Sequence, residues 1–194
     1  MKLNTLLFGA LLIATCSLAA TAIASDDLPA KGQVQVTKVK VDGVDTPKFV
    51  VRTVMDLPPK KVWAVVSDCA HYKDRMPRVA ASDLLKKEGN IHTCKVTIRL
   101  PFPMSNLTAT TEARHEESDR RMKRSWKLVE GDYKRNEGSW EIEAIDAAGT
   151  QSLVTYTVMA EPKSAVPDFI RESAQAKALP EMMERVKAEA AKMP

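Results

Sequence analysis

The side chains able to do chemistry are few and dispersed. His71, His92 and His115 are scattered and lack the mutual spacing of metal ligands. No metal and no other cofactor is expected. Glu116 and Glu117 are adjacent, and neighbours on a strand face opposite ways, so they make a poor acid–base pair. There is no G-x-S-x-G elbow, no H-E-x-x-H helix, no Gly-rich phosphate loop and no credible Cys–His pair. No catalytic residue is assigned, and the chain is read as a non-enzyme. What remains is two arginines in segments of alternating polarity. Arg124 shares the parity of Met122, Trp126 and Leu128, whereas Arg114 stands opposite Ala113 and the apolar set. A guanidinium on an apolar face is a binding group for an anion or a polar head.

The elements that must carry these residues begin after a leader. Lys2 is the only charge before Asp26, and the apolar run Leu6–Ala14 leads to Ala22-Ile23-Ala24. A positive start, a short apolar run and an A-x-A site make a secretory signal peptide over residues 1–24, cleaved after Ala24. The folded domain is then 25–194. Cleavage removes Lys2 alone, so 28 basic residues face 25 acidic ones and the formal charge falls from +4 to +3. That charge is too small and too dispersed for a nucleic-acid partner. Apolar residues make up 44% of the chain and charged ones 28%, which excludes disorder and leaves room for one core. Export places the protein in the periplasm or cell envelope, with secretion as the alternative. Cys16 leaves with the leader. Cys69 and Cys94 remain, either as a disulfide, which an oxidising compartment permits, or as two separate buried thiols.

Val34–Val41 reads as a first strand ended by Asp42-Gly43, and Phe49–Met55 as a second. Asp56, as an N-cap, and Pro58-Pro59 open a helix carrying Val62, Trp63, Val65 and Val66. Pro77 closes a short helical piece over 71–75. Alternation then dominates. Cys94, Val96, Ile98 and Leu100 form one inward set, and Leu107, Ala109, Thr111 and Ala113 a second. Met122–Leu128 and Trp140–Ala144 add two more. Leu153–Met159 is apolar on both parities, so its facing stays open. Short turns between these runs imply an antiparallel meander. From Pro167-Asp168 onward, Ile170, Ala174, Ala178 and Met182 recur at helical spacing, and Leu179, Met183, Val186 and Ala190 widen the stripe. Pro180 predicts a kink near 176–179. The order predicts an α+β helix-grip fold: a curved antiparallel β-sheet wrapped around a long C-terminal α-helix.

The inward set contains Ala109, Thr111, Ala113 and Ala144, and the helix presents Ala174 and Ala178. Small residues on facing surfaces leave either a cavity with apolar walls or a close-packed contact. Both readings stand on the residues alone.

Four segments in order resemble the START lipid-transfer domains of the Bet v 1-like superfamily, which also holds polyketide cyclases. They are Leu100–Asn106 (LPFPMSN), Asp56–Trp63 with Val66-Ser67-Asp68, Glu137–Trp140 (EGSW), and Thr155-Tyr156 followed by Glu161-Pro162 and Val166-Pro167. The resemblance covers nearly all of residues 33–190. Leu107-Thr108 follows Asn106 where many members have Arg-Asp, and Ala113 stands about where some sterol-binding members carry an arginine. The resemblance implies a cavity for a lipid or other apolar small molecule. Its walls are expected to be Val96, Ile98, Ala109, Thr111, Ala113, Arg124, Trp126, Trp140, Tyr156, Ile170, Ala174, Ala178 and Met182. Phe102, Met104 and Val166 are expected at its mouth, with transient membrane contact there and Lys163, Arg171 and Lys177 near anionic headgroups. The chain is read as a monomeric, exported carrier of an apolar ligand. The alternative is a cyclase-like enzyme using the same cavity.

Overall fold

Every strand pairs antiparallel with its neighbours. The strands are β1 (Val34–Val41), β2 (Val44–Met55), β3 (Val79–Glu88), β4 (Ile91–Ile98), β5 (Leu107–Glu117), β6 (Arg121–Gly131), β7 (Tyr133–Ala144) and β8 (Ser152–Pro162). They form one curved open sheet in the order β1-β2-β8-β7-β6-β5-β4-β3. The computed structural model describes residues 28–167, 170 and 174–194. The expected leader and its cleavage site lie outside the described residues, as do Asp168 and Arg171.

Between β2 and β3 the chain makes α1 (Pro59–Val66), a 3₁₀ turn (Cys69–His71) and α2 (Tyr72–Arg75). At the end of the chain a π-helical turn (Ala174–Ala178) runs into α3 (Leu179–Ala190). Pro180 is the second residue of α3. Its missing N–H leaves a carbonyl in the preceding turn without its helical donor, and the irregular turn lies there. This is the segment where the kink is predicted.

The core explains the arrangement. Val62, Val65 and Val66 of α1 are fully buried against Met183, Val186 and Ala190 of α3 and against Trp140, Ile142 and Val154 of the sheet. This end of the fold is filled. The first turn of α3, with Leu179 and Met182, only partly covers the sheet, and there the space stays open.

Two expectations are corrected. Asp56 does not cap α1; Pro58 occupies the N-cap position and no side chain caps the helix. Asp56 instead meets Lys31 Nζ at 2.8 Å and accepts a hydrogen bond from Gln151 Nε2 at 2.7 Å. That ties the β2–α1 junction to the end of β8. Strand β3 has no counterpart in the expected elements. It is a sheet edge whose second half is exposed on both faces, with Leu85 54% exposed, so no alternation marks it.

Candidate functional site

A cavity of about 270 Å³ lies between the inner face of the sheet, the corner Met76–Val79 and the first turn of α3. It sits just below the range of about 300–1,000 Å³ of pockets that enclose drug-sized ligands. A second hollow of about 570 Å³ adjoins it and shares Val158, Ala160 and Leu179; it is lined by Phe49, Lys163 and Val166 among others.

Strand parity sets the walls. Val96 and Ile98 come from β4, Ala109 and Thr111 from β5, Arg124 and Trp126 from β6, Trp140 from β7 and Tyr156 from β8. Ala178 and Met182 face them from the helix. Ala113 is not among these walls. It pairs with His92 and Trp126 across the strands and is fully buried in the packed core. Ile170 is half-buried and is not among the lining residues, and the side chain of Ala174 lies outside the described residues. Sequence reasoning missed Tyr72, Met76, Pro77 and Arg78, because they reach the cavity from a corner rather than from an alternating strand. It also missed Tyr133 and Asn136 at the start of β7, and Val158 and Ala160 on the undecided β8.

The mouth residues separate. Phe102 is 96% exposed and fills no cavity. Met104 lines a separate surface hollow of about 360 Å³ with Lys163, Ser164 and Ala165. Val166 lines the adjoining hollow. Arg78 Nη2 reaches Glu181 Oε2 at 3.4 Å, linking the corner to α3 beside the cavity. Both side chains are partly exposed, so this pair contributes little to holding the opening shut.

Arg124 is a buried charged group of the cavity. It is only 4% exposed. Its guanidinium stands 5.8 Å from the Tyr72 ring centre and 5.5 Å from that of Trp126. Nη2 lies 3.6 Å from Cys94 Sγ, a weak acceptor, and Nε has no hydrogen-bond partner among the described residues. No carboxylate lies within ion-pair distance of it among the described residues. Arg114, by contrast, is exposed on the outer face with Lys127 and Glu112.

Cys94 is disulfide-bonded to Cys69, with S–S at 1.99 Å and the Cα atoms 6.3 Å apart. Of the two readings open to the sequence, the bonded pair is the one present. The bond pins the turn before α2, and with it one wall of the cavity, to β4.

Trp126 is placed by a glycine. It pairs with Gly138 on β7, and its indole Nε1 donates to Asn136 Oδ1 at 3.0 Å. Tyr156 stacks on Trp126 at 5.8 Å and meets Trp140 in a tilted contact at 4.4 Å, so three rings form a continuous apolar wall. Burial raises the Tyr72 and Tyr156 hydroxyls above the ordinary phenol range. They are neutral donors, not bases.

Behind Arg124 lies His115, 6% exposed, with Trp63 at 5.1 Å and His92 at 4.0 Å. Burial, aided by His92, Arg124 and Lys87, pushes the His115 imidazole down to about 3. The unfolded chain takes up that proton near the ordinary value of about 6.5. The stability due to neutral His115 is therefore complete above about pH 6.5 and is lost as pH falls toward 3, by at most about 1.4 kcal/mol per pH unit. Urea unfolding at about pH 7 and about pH 4.5 should show the native chain losing about 2 kcal/mol more than His115→Phe over that interval. An equal loss in both contradicts this account.

Among the described residues no group of His, Cys, Asp and Glu could hold a metal ion, and no helix is long and apolar enough to cross a membrane. With the geometry in view, comparison with known proteins is informative. The family model for polyketide cyclase/dehydrase and lipid transport matches residues 55–187. No curated protein matches the chain. Among solved structures, the STAR-related lipid transfer protein from Xanthomonas axonopodis superposes with a TM-score of 0.71 at 19% identity, covering 82% of this chain and 94% of that one. Human STARD10 gives 0.68 at 18% identity, covering 83% and 69%. The Zhui aromatase/cyclase from Streptomyces sp. R1128 gives 0.60 at 16% identity, covering 75% and 93%. At these identities the likeness is one of fold, and it joins lipid-transfer proteins and a cyclase.

Proposed function

The chain belongs to the polyketide cyclase/dehydrase and lipid-transport family, and from that premise we propose that it is an exported, non-enzymatic carrier that encloses one apolar molecule, a lipid, between sheet and C-terminal helix. The observation that carries this reading is the cavity itself, walled by Val96, Ile98, Ala109, Trp126, Trp140 and Tyr156 and left unfilled by the core. Burying a ligand there gains about 25 cal/mol per Å² of apolar area removed from water. The charged and phenolic side chains that line the space are Arg78, Arg124 and the neutral Tyr72, Tyr133 and Tyr156, and none of them is a base to move protons. That favours carrier over cyclase. The leader over residues 1–24 and the Cys69–Cys94 bond support export to an oxidising compartment, the periplasm or cell envelope.

In this reading the protein works alone, as a monomer, and loads at a membrane. Phe102 is held out of the β4–β5 loop between Pro101 and Pro103, and an apolar side chain so exposed needs an apolar partner. Lys163 beside Met104 would meet anionic headgroups, contributing about 1 kcal/mol. Entry requires α3 to lift at the irregular turn that precedes it, and the Arg78–Glu181 link beside the cavity offers little resistance. The test is transfer of a fluorescent lipid between donor and acceptor vesicles. The native chain should accelerate it, and Phe102→Asp with Met104→Asp should remove most of that acceleration while the protein stays folded. No acceleration by the native chain refutes the carrier; undiminished transfer by the variant refutes membrane docking through this loop.

A further inference from the structure

The geometry points to a single-chain carboxylic acid as the ligand, bound with its carboxylate at Arg124 and its tail directed to the mouth. This rests on the carrier reading and names the ligand class within it. Arg124 is a cation in an apolar enclosure, and a buried cation normally has a carboxylate partner. The other arginines that make ion pairs here do so near the surface: Arg75 with Asp68, Arg121 with Glu141, Arg185 with Glu189. Arg124 instead faces two aromatic rings and a disulfide sulfur, and its Nε has no acceptor among the described residues. The titratable groups beside it, His115, His92, Tyr72 and Tyr156, are held neutral or become cationic and supply it no negative charge. A planar carboxylate fits the guanidinium fork, and a ligand bearing one would complete the site.

The register fixes the orientation. Arg124, Trp140 and Tyr156 stand in one row across the sheet, Trp126, Gly138 and Val158 in the next, and Asn136 and Ala160 in the third. Ala160 also lines the hollow that adjoins the cavity. From Tyr156 to Ala160 is four residues, roughly 13 Å of strand. A head at Arg124 therefore lies at the inner end, with its tail passing Trp126 and Val158 toward the opening. The small inner volume, about 270 Å³, suits one chain rather than a two-chain phospholipid, and the larger hollow takes the tail's outer part.

The test compares three probes of one chain length, myristate, 1-tetradecanol and tetradecyl phosphate, by displacement of a fluorescent fatty acid from the disulfide-intact chain. Myristate should bind tenfold to a hundredfold more tightly than the alcohol, the range of a charge-assisted hydrogen bond. It should also bind more tightly than the phosphate. In Arg124→Met the acid should lose that advantage. The acid-versus-alcohol comparison in the native chain needs no variant and stands if Arg124→Met does not fold. Equal binding of acid and alcohol, or an advantage that survives in a folded Arg124→Met, overturns the head-inward placement and leaves the carrier standing. Preference for the phosphate overturns the carboxylate assignment. Binding of none of the three, with no lipid of any class accepted, overturns both.

Discussion

Replacing Gly138 with alanine is expected to cost about 3 kcal/mol of stability and to abolish ligand binding. A Cβ at this position would stand 2.5 Å from Trp126 Cζ2 and 2.7 Å from Cη2, and closer still to the Thr157 carbonyl oxygen. That oxygen belongs to the β7–β8 ladder, so the ladder must give there as well as the indole. Moving the indole breaks the Nε1 bond to Asn136 and the stack on Tyr156 and swings Trp126 into or out of the cavity. Overpacking of this kind costs about 1–3 kcal/mol, and the lost hydrogen bond about 1 more. Gly43→Ala is the control. Nothing lies within 4 Å of its Cβ, and only its positive φ of 73° resists the change, for about 1 kcal/mol. Unfolding free energies of the two variants in denaturant should differ by about 2 kcal/mol, with Gly138→Ala the weaker. Free energies that coincide contradict the role given to this glycine.

The second large effect is expected from the disulfide. Cys69 and Cys94 are 25 residues apart, and closing a loop of that length removes unfolded-state entropy worth about 3–4 kcal/mol. Both sulfurs are buried, so Cys69→Ala with Cys94→Ala also leaves a void. The consequence reaches the cavity, because Tyr72, Met76, Pro77 and Arg78 follow directly from the tethered turn and form one wall. Ligand affinity should therefore fall together with the unfolding midpoint. Reducing agent should shift the native chain toward the variant and leave the variant unmoved. An unshifted midpoint on reduction contradicts the assignment.

The sheet was legible in the sequence where one of its faces is wet. Along β5 the inward Ala109, Thr111 and Ala113 alternate with the exposed Glu112 and Arg114, and the pattern names the strand and its facing together. On β8 it fails, because Leu153 and Val54 pair on the outer face and are 4% and 8% exposed, as dry as the inner Val154. Apolar residues on both parities carry no facing, so Val158 and Ala160 could not be assigned to the cavity beforehand. Strand β3 fails for the opposite reason, since Lys86, Lys87 and Glu88 are exposed on both faces of an edge. Within the site, alternation places side chains along a strand and says nothing about how far a cavity extends. Ala113 has the inward parity of Ala109 and Thr111, yet it lies under the filled end of the fold, where α1 and the last turns of α3 meet the sheet. The corner residues Met76–Arg78 left no periodic trace, and the tether that brings them to the cavity is a single disulfide.

Arg124 shows the physical tension most plainly. Parity alone put a guanidinium on the apolar face, and among the described residues no acid pairs with it there. Such a residue weakens the empty protein, since a hydrophobic replacement of similar volume in a buried site is neutral or stabilising. A group that costs stability and faces a cavity is best explained by what enters the cavity.

The claim on which all of this depends is that the space between sheet and helix holds a molecule. Native mass spectrometry of the chain, purified from the cells that make it and followed by organic extraction, tests it most directly. The account predicts one apolar molecule per chain, lost when Ala178→Phe fills the cavity from the helix side while the fold is kept. An empty chain that takes up no lipid from any mixture, or a bound molecule that Ala178→Phe does not displace, would contradict it.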